Sequence, residues 1–148
     1  MSELGDLYQE MILEHSKSPR NFHAMGEGSR SAEGFNPLCG DHYTVYLDIA
    51  EDSIRDISFQ GSGCAISKAS ASMMSQVLKS KTPVEAEELF RQFHAVVTGN
   101  GQPGDEARLG RLAVFAGVAK FPTRIKCATL AWHALHAALT GEQVASTE

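Results

Sequence analysis

The chain is short of cysteine, and three is an odd number. Three thiols do not build a disulfide framework. A chain of 148 residues with 43% hydrophobic side chains can form a core without covalent staples. Basic residues are also scarce: 13 Lys and Arg stand against 18 Asp and Glu, a formal net charge of −5. That balance argues against the basic face of a nucleic-acid binder. No apolar run approaches the roughly 18–20 residues of a membrane span, and the first residues lack the charged-then-apolar pattern of a signal peptide. The expectation is a soluble cytoplasmic protein with neither nucleic acid nor membrane as partner. The sequence has no internal repeat, no Cys-x-x-Cys and no strand–helix–strand repetition. An array, a common thiol zinc motif and a parallel sheet drop out accordingly. In a reducing compartment, cysteines left over from these uses point to metal binding or catalysis.

What is present reads as one domain over residues 1–148. Leu4, Leu7, Tyr8, Met11 and Ile12 recur at helical spacing, predicting an amphipathic helix that ends near His15. A polar stretch follows, with a short strand expected near residues 32–35. Tyr43, Val45, Leu47 and Ile49 alternate with polar residues, the period of a half-buried strand. Glu51-Asp52-Ser53 turns the chain, and Ile57 and Phe59 mark a second strand in an antiparallel hairpin. A helix rich in Ala, Ser and Met is predicted from Ala65 to Lys79. Thr82-Pro83-Val84-Glu85 opens another, with a capping Thr, a reaching Glu and a Pro in the first turn. Residues 99 to about 110 read as a loop or flexible insertion. Leu109, Leu112, Ala113 and Ala116 read as a short helix stopped by Gly117. The last helix is expected from about 123 to 140, with Gly141 as its stop and a disordered tail after about 143. The fold class is α+β: a small antiparallel sheet of about three strands packed against several helices.

Three stretches hold the chemistry: Asn36-Pro37-Leu38-Cys39-Gly40-Asp41, Gly61-Ser62-Gly63-Cys64-Ala65 and Phe121-Pro122-Thr123-Arg124-Ile125-Lys126-Cys127-Ala128. Each cysteine stands beside a chain-turning residue or a predicted element edge. Cys39 and Asp41, two apart, fall on one face in extended chain. Cys64 sits at a predicted helix N-terminus, whose free N–H groups favour a thiolate, and Cys127 lies near the start of the last helix. Cys39, Asp41, Cys64 and Cys127 would make a tetrahedral set acceptable to zinc, and thiolates also suit iron–sulfur clusters. Three thiolates and a carboxylate carry four negative charges, and a divalent ion leaves two. Arg124, three residues before Cys127 on the same helical face, and Lys126 beside it are placed to offset that excess. Spacing alone leaves the plainer alternatives open: a free cysteine is often a small buried hydrophobe, and Arg124 and Lys126 could be an ordinary solvated helix start. The six histidines form no ligand pair at convincing spacing. His42, the neighbour of Asp41 along the strand, is expected on the opposite face.

Together, Asn-Pro-x-Cys-Gly-Asp, Gly-x-Gly-Cys-Ala-Ile-Ser-x-Ala-Ser-Ala-Ser and Phe-Pro-x-Arg-x-Lys-Cys-Ala-x-Leu-x-Trp resemble the iron–sulfur assembly family of IscU, SufU and the N-terminal part of NifU, over nearly the whole chain. Within it the detail is SufU-like. Lys126 stands where IscU-type members carry a His, and an ammonium is a poor ligand at neutral pH. The segment from 99 to 110 fits a SufU insertion, and the IscU chaperone-binding motif has no match. The resemblance implies an IscU/SufU-like fold and zinc on Cys39, Asp41, Cys64 and Cys127, with iron or a [2Fe–2S] cluster as the alternative occupant. It implies a zinc-dependent sulfurtransferase that accepts persulfide sulfur on Cys39 from a SufS-type, PLP-dependent cysteine desulfurase and serves the downstream Suf assembly machinery. A histidine of the desulfurase would take the place of Cys39 on the zinc, and Arg124 would steady the released thiolate. The competing expectation is a scaffold on which a [2Fe–2S] cluster is built and handed on.

Overall fold

The computed structural model describes residues 3–26, 28–37, 40–141 and 144–146, with side chains described between residues 9 and 141. In chain order the elements are α1 (Glu3–Lys17), β1 (Arg30–Asn36), β2 (Asp41–Ala50), β3 (Ser53–Ser62), α2 (Ala65–Leu78), α3 (Pro83–Val97) and α4 (Asp105–Leu109). A 3₁₀ segment (Gly110–Lys120), α5 (Pro122–Thr140) and β4 (Val144–Ser146) complete them. No described helix is long and apolar enough to cross a membrane.

Strand β2 is the middle of the antiparallel part of the sheet. It pairs with β1 from Asn36↔Asp41 to Arg30↔Leu47 and with β3 from His42↔Ser62 to Ala50↔Ser53. Glu51 and Asp52, both at positive φ, make the two-residue connection whose twist matches flanking strands. The alternation along β2 sorts as its sequence requires: Asp41, Tyr43, Val45 and Leu47 are buried, and His42 is exposed on the other face. The three antiparallel strands agree with the expected sheet. The tail departs from expectation. Val144–Ser146 is ordered as β4, parallel to β1, and the strand order is β3-β2-β1-β4. The free edge of β1 offers unpaired backbone groups that a short tail can satisfy without any hydrophobic pattern of its own.

Helices cover one side. Helix α5 lies on β1, and β1 comes so near that a Cβ at Gly34 would stand 3.1 Å from the Leu130 carbonyl oxygen and 3.2 Å from the Ala134 Cβ. The small residues of α2 also allow close packing. Ser70 donates to the Ala128 carbonyl at 2.6 Å and accepts from Trp132 Nε1 at 3.2 Å, tying α2 to α5. Helix α1 packs on α2 and continues to Lys17, one turn-half past the expected end. His15 is buried there with Nδ1 2.7 Å from Ser72 Oγ. Met11 and Ile12 pack against the core; the side chains of Leu4, Leu7 and Tyr8 lie outside the described residues.

Helix α3 begins with the full capping box of Thr82 and Glu85, with Pro83 in the first turn, as its sequence predicts. The expected loop from 99 to 110 is helical in its second half. Asp105 is buried and accepts from the Gln102 N–H at 2.9 Å. Gly117 does not end the next helix. The segment runs to Lys120 in 3₁₀ turns, burying Leu112, Phe115 and Val118. Those residues are three apart, the repeat of a 3₁₀ helix, and their burial outweighs the roughly 1 kcal/mol that one glycine costs. Gly141 ends α5 in the left-handed conformation, as expected.

Candidate metal centre

Three chain segments bring Asp41, Cys64 and Cys127 together. Their ligand atoms all lie within 4.8 Å of one another, and among the described residues no other three His, Cys, Asp or Glu side chains do so. Asp41 is the first residue of β2, buried on the face under α2 and α5. Cys64 is the N-cap of α2, and its sulfur accepts from the Ser67 N–H at 3.4 Å. Cys127 lies in the second turn of α5 and is buried. The Ser70 and Trp132 contacts with α5 hold that helix against α2 one residue past Cys127.

The carboxylate of Asp41 is divided between two tasks. Oδ1 accepts from the Cys64 N–H at 3.1 Å, and Oδ2 lies 3.8 Å from Cys64 Sγ. Tetrahedral zinc, with bonds of about 2.3 Å to sulfur and about 2.1 Å to oxygen, separates those atoms by about 3.6 Å. The donors therefore stand at nearly the spacing the ion requires, with Oδ2 available as a single ligand atom. Two sulfurs and a carboxylate oxygen fit zinc by chemistry as well as by distance.

The thiols are electrically unequal. A hydrogen bond from Cys127 and the N–H and hydroxyl groups of Ser67 draw the Cys64 pKa down to about 6, against burial and the Asp41 charge. Cys127 is pushed far above the ordinary cysteine range by that same hydrogen bond to Cys64 and by burial. Without metal the pair thus shares one proton, held on Cys127. The helix start does favour the Cys64 thiolate, but Cys127 contributes more. Cys127 itself sits too deep in α5 to gain from a helix N-terminus, a correction to the expectation from sequence. A metal taking both sulfurs must displace that proton.

Cys39 and its neighbour Leu38 lie outside the described residues. The connection joining β1 to β2 is not extended at Gly40, whose φ is 75°, so the extended-chain reason for placing Cys39 and Asp41 on one face does not hold. Gly40 donates to the Asn36 carbonyl at 2.8 Å. Arg124 is exposed at the start of α5, its guanidinium carbon 4.6 Å from the centroid of the Phe121 ring. Lys126 is half-buried beside Cys127. His42 points away from the ligands and pairs with Glu33 at 3.3 Å.

Three residues of the centre were not singled out from sequence as part of it. Tyr43, two residues after Asp41 on the same strand face, is buried with its hydroxyl 3.0 Å from Ser67 Oγ, and burial holds its pKa well above the phenol range. Ser67 is fully buried one turn into α2. Gly63 separates them: a Cβ there would stand 2.5 Å from Ser67 Oγ, 2.7 Å from Asp41 Oδ1 and 2.7 Å from the Tyr43 hydroxyl. The signal available in sequence was spacing from a ligand, two along a strand and three along a helix.

Residues 7–128 match the NifU-like N-terminal domain. The chain is 42% identical over 139 residues to the iron–sulfur cluster assembly scaffold protein IscU of Streptococcus pyogenes serotype M1, covering 94% of this chain and 86% of that one. It is 38% identical over 142 residues to the zinc-dependent sulfurtransferase SufU of Bacillus subtilis, covering 96% and 95%. A crystal structure of an iron–sulfur cluster assembly scaffold protein for the SUF system from Fervidobacterium islandicum superimposes with a TM-score of 0.81 at 35% identity, covering 88% of this chain and 94% of that one. Fold, ligand triad and sequence agree, and the chain belongs to the IscU/SufU/NifU N-terminal family of iron–sulfur cluster assembly proteins.

Proposed function

We propose that the protein is a zinc-dependent sulfurtransferase that takes sulfur from a SufS-type cysteine desulfurase for iron–sulfur cluster assembly. The observation that carries this is the convergence of Asp41, Cys64 and Cys127 at zinc-ligand spacing, in a chain with Lys rather than His before the last cysteine. Cys39 completes the set in this reading. Zinc held there would keep the thiols ionised at neutral pH and link separate stretches of chain.

The chain's own residues divide the work. Asp41 is locked by the Cys64 N–H, Cys64 caps α2, and Cys127 is buried in α5. Cys39 belongs to no helix and lies in the connection between β1 and β2, which suits it to be the sulfur acceptor. Its thiolate attacks the outer sulfur of the partner's cysteine persulfide. A bond forms between Cys39 Sγ and that sulfur, the partner's S–S bond breaks, and the electron pair leaves on the partner's cysteine thiolate. The exchange is balanced without an external oxidant. Arg124, three residues before Cys127, supplies the positive charge that steadies the Cys39 thiolate.

A scaffold role is the second reading, favoured by the 42% identity to a relative named as a scaffold. Metal analysis and a desulfurase assay separate the two. Stoichiometric zinc in a colourless protein that raises desulfurase turnover supports sulfur transfer. A coloured protein with iron and sulfide that leaves turnover unchanged supports the scaffold. Cys39→Ala should lose both activation and sulfur acceptance, and retention of both would overturn the assignment of Cys39.

A further inference from the structure

The inner side of the centre carries two hydroxyl groups that no metal ligand requires. Tyr43 reaches up from β2 and Ser67 down from α2, each fully buried, with their oxygens 3.0 Å apart. Ser67 Oγ lies 3.0 Å from the Cys64 carbonyl oxygen and 3.6 Å from Cys64 Sγ, and the Ser67 N–H is aimed at the same sulfur at 3.4 Å. The missing side chain of Gly63 gives these groups their space, since a Cβ there would collide with Ser67 Oγ, Asp41 Oδ1 and the Tyr43 hydroxyl.

Counting hydrogens fixes the direction of the chain of contacts. A buried phenol donates its one hydrogen, and Ser67 Oγ is its partner. With that lone pair occupied, the Ser67 hydrogen turns to Cys64, where the carbonyl and the sulfur are the acceptors in reach. A thiol at Cys64 brings its own hydrogen. A thiolate bound to metal has none, and the Ser67 hydroxyl then becomes its side-chain donor, beside the Ser67 N–H. Two donors from one residue draw charge from the sulfur and weaken it as a nucleophile, while fixing its position.

We propose that Tyr43 and Ser67 are positioning residues that hold Cys64 as the fixed, unreactive thiolate of the metal centre. This rests on the metal-centre reading above. It assigns the cysteines different tasks: the hydroxyl pair keeps Cys64 on the ion, so sulfur chemistry is directed to a cysteine without such donors.

The test uses the full-length protein loaded with cobalt(II), comparing wild type, S67A and Y43F. One readout is the energy of the sulfur-to-cobalt charge-transfer band. The other is the rate of Cys64 alkylation by iodoacetamide, mapped by peptide mass spectrometry. Circular dichroism checks the fold, and Y43F keeps the ring that fills the core. The band should move to lower energy and Cys64 alkylation should quicken by about tenfold in S67A, in line with the loss of an outer hydrogen-bond partner at other metal sites. Y43F should show a smaller change in the same direction, because Ser67 remains but is no longer oriented. A wild-type band with both folded variants unmoved overturns this proposal alone. A wild-type protein that takes no cobalt overturns it together with the metal-centre reading.

Discussion

Two regions of this molecule gather side chains able to bind metal, and they do so differently. At the end of the sheet, Asp41, Cys64 and Cys127 come from a strand, a helix cap and a helix interior, and their ligand atoms close to within 4.8 Å. On the face between α3 and α5, His94, His133 and His136 surround the Phe90 ring with centroids 5.2–6.1 Å from it, and Glu87 is 2.8 Å from His136 Nδ1. These residues line an open cavity of about 330 Å³ together with Arg91. The first group is aimed inward by backbone contacts: a Cys64 N–H on Asp41 and a Ser67 N–H on Cys64. The second is spread over two helix surfaces with an aromatic ring in its middle. Ligand-type residues become a site when the backbone makes them converge, not when they are merely close.

The sharpest way to break that contrast is to remove one member of each group. Cys127→Ala should abolish stoichiometric zinc binding, measured by metal analysis after dialysis, while His133→Phe should leave it intact. Equal losses would mean that the histidine face shares in metal binding. The next largest effect is expected at Gly63. Gly63→Ala forces a methyl group against three polar atoms of the centre and should cost about 1–3 kcal/mol in urea unfolding, as overpacking does, with weaker zinc binding alongside.

A third test concerns protons. His133 has its pKa lowered to about 4 by burial and by the neighbouring His94 and His136, whereas an unfolded histidine titrates near 6.5. Between those values the unfolded chain binds more protons, so stability should fall as pH drops from about 6.5 through 4. His133→Phe should flatten that part of the pH–stability curve. An unchanged slope would show that His133 is not the buried group responsible. The smallest effect belongs to a residue remote from both groups: Thr82→Ala removes the α3 capping box and should cost about 1 kcal/mol with zinc affinity unmoved.

The sequence was most legible where local chemistry and burial agree. Alternation in β2, the Thr82–Glu85 cap and the Gly141 stop each appear where the residues said they would. Legibility failed where a tertiary partner decides. The tail has no strand pattern, and β4 exists because β1 has an open edge. The helix before α5 follows a repeat of three through Leu112, Phe115 and Val118, which a search for the α-helical period overlooks. For the centre, residue type and motif order identified Asp41, Cys64 and Cys127 as ligands. They could not reveal that Cys127 would hold the shared proton, or that Tyr43 and Ser67 would meet behind Cys64. Those facts arise from depth in the fold, which one-dimensional spacing does not encode.

The parallel direction of β4 has a practical consequence for handling the protein. Ser146 pairs with Phe35, so β4 travels with β1 toward the end where β1 gives way to the connection bearing Cys39. A polyhistidine tag fused beyond that strand would be delivered to the same end of the sheet as the cysteines, where its imidazoles would compete for zinc. Metal stoichiometry is therefore best measured on protein purified without such an appendage there.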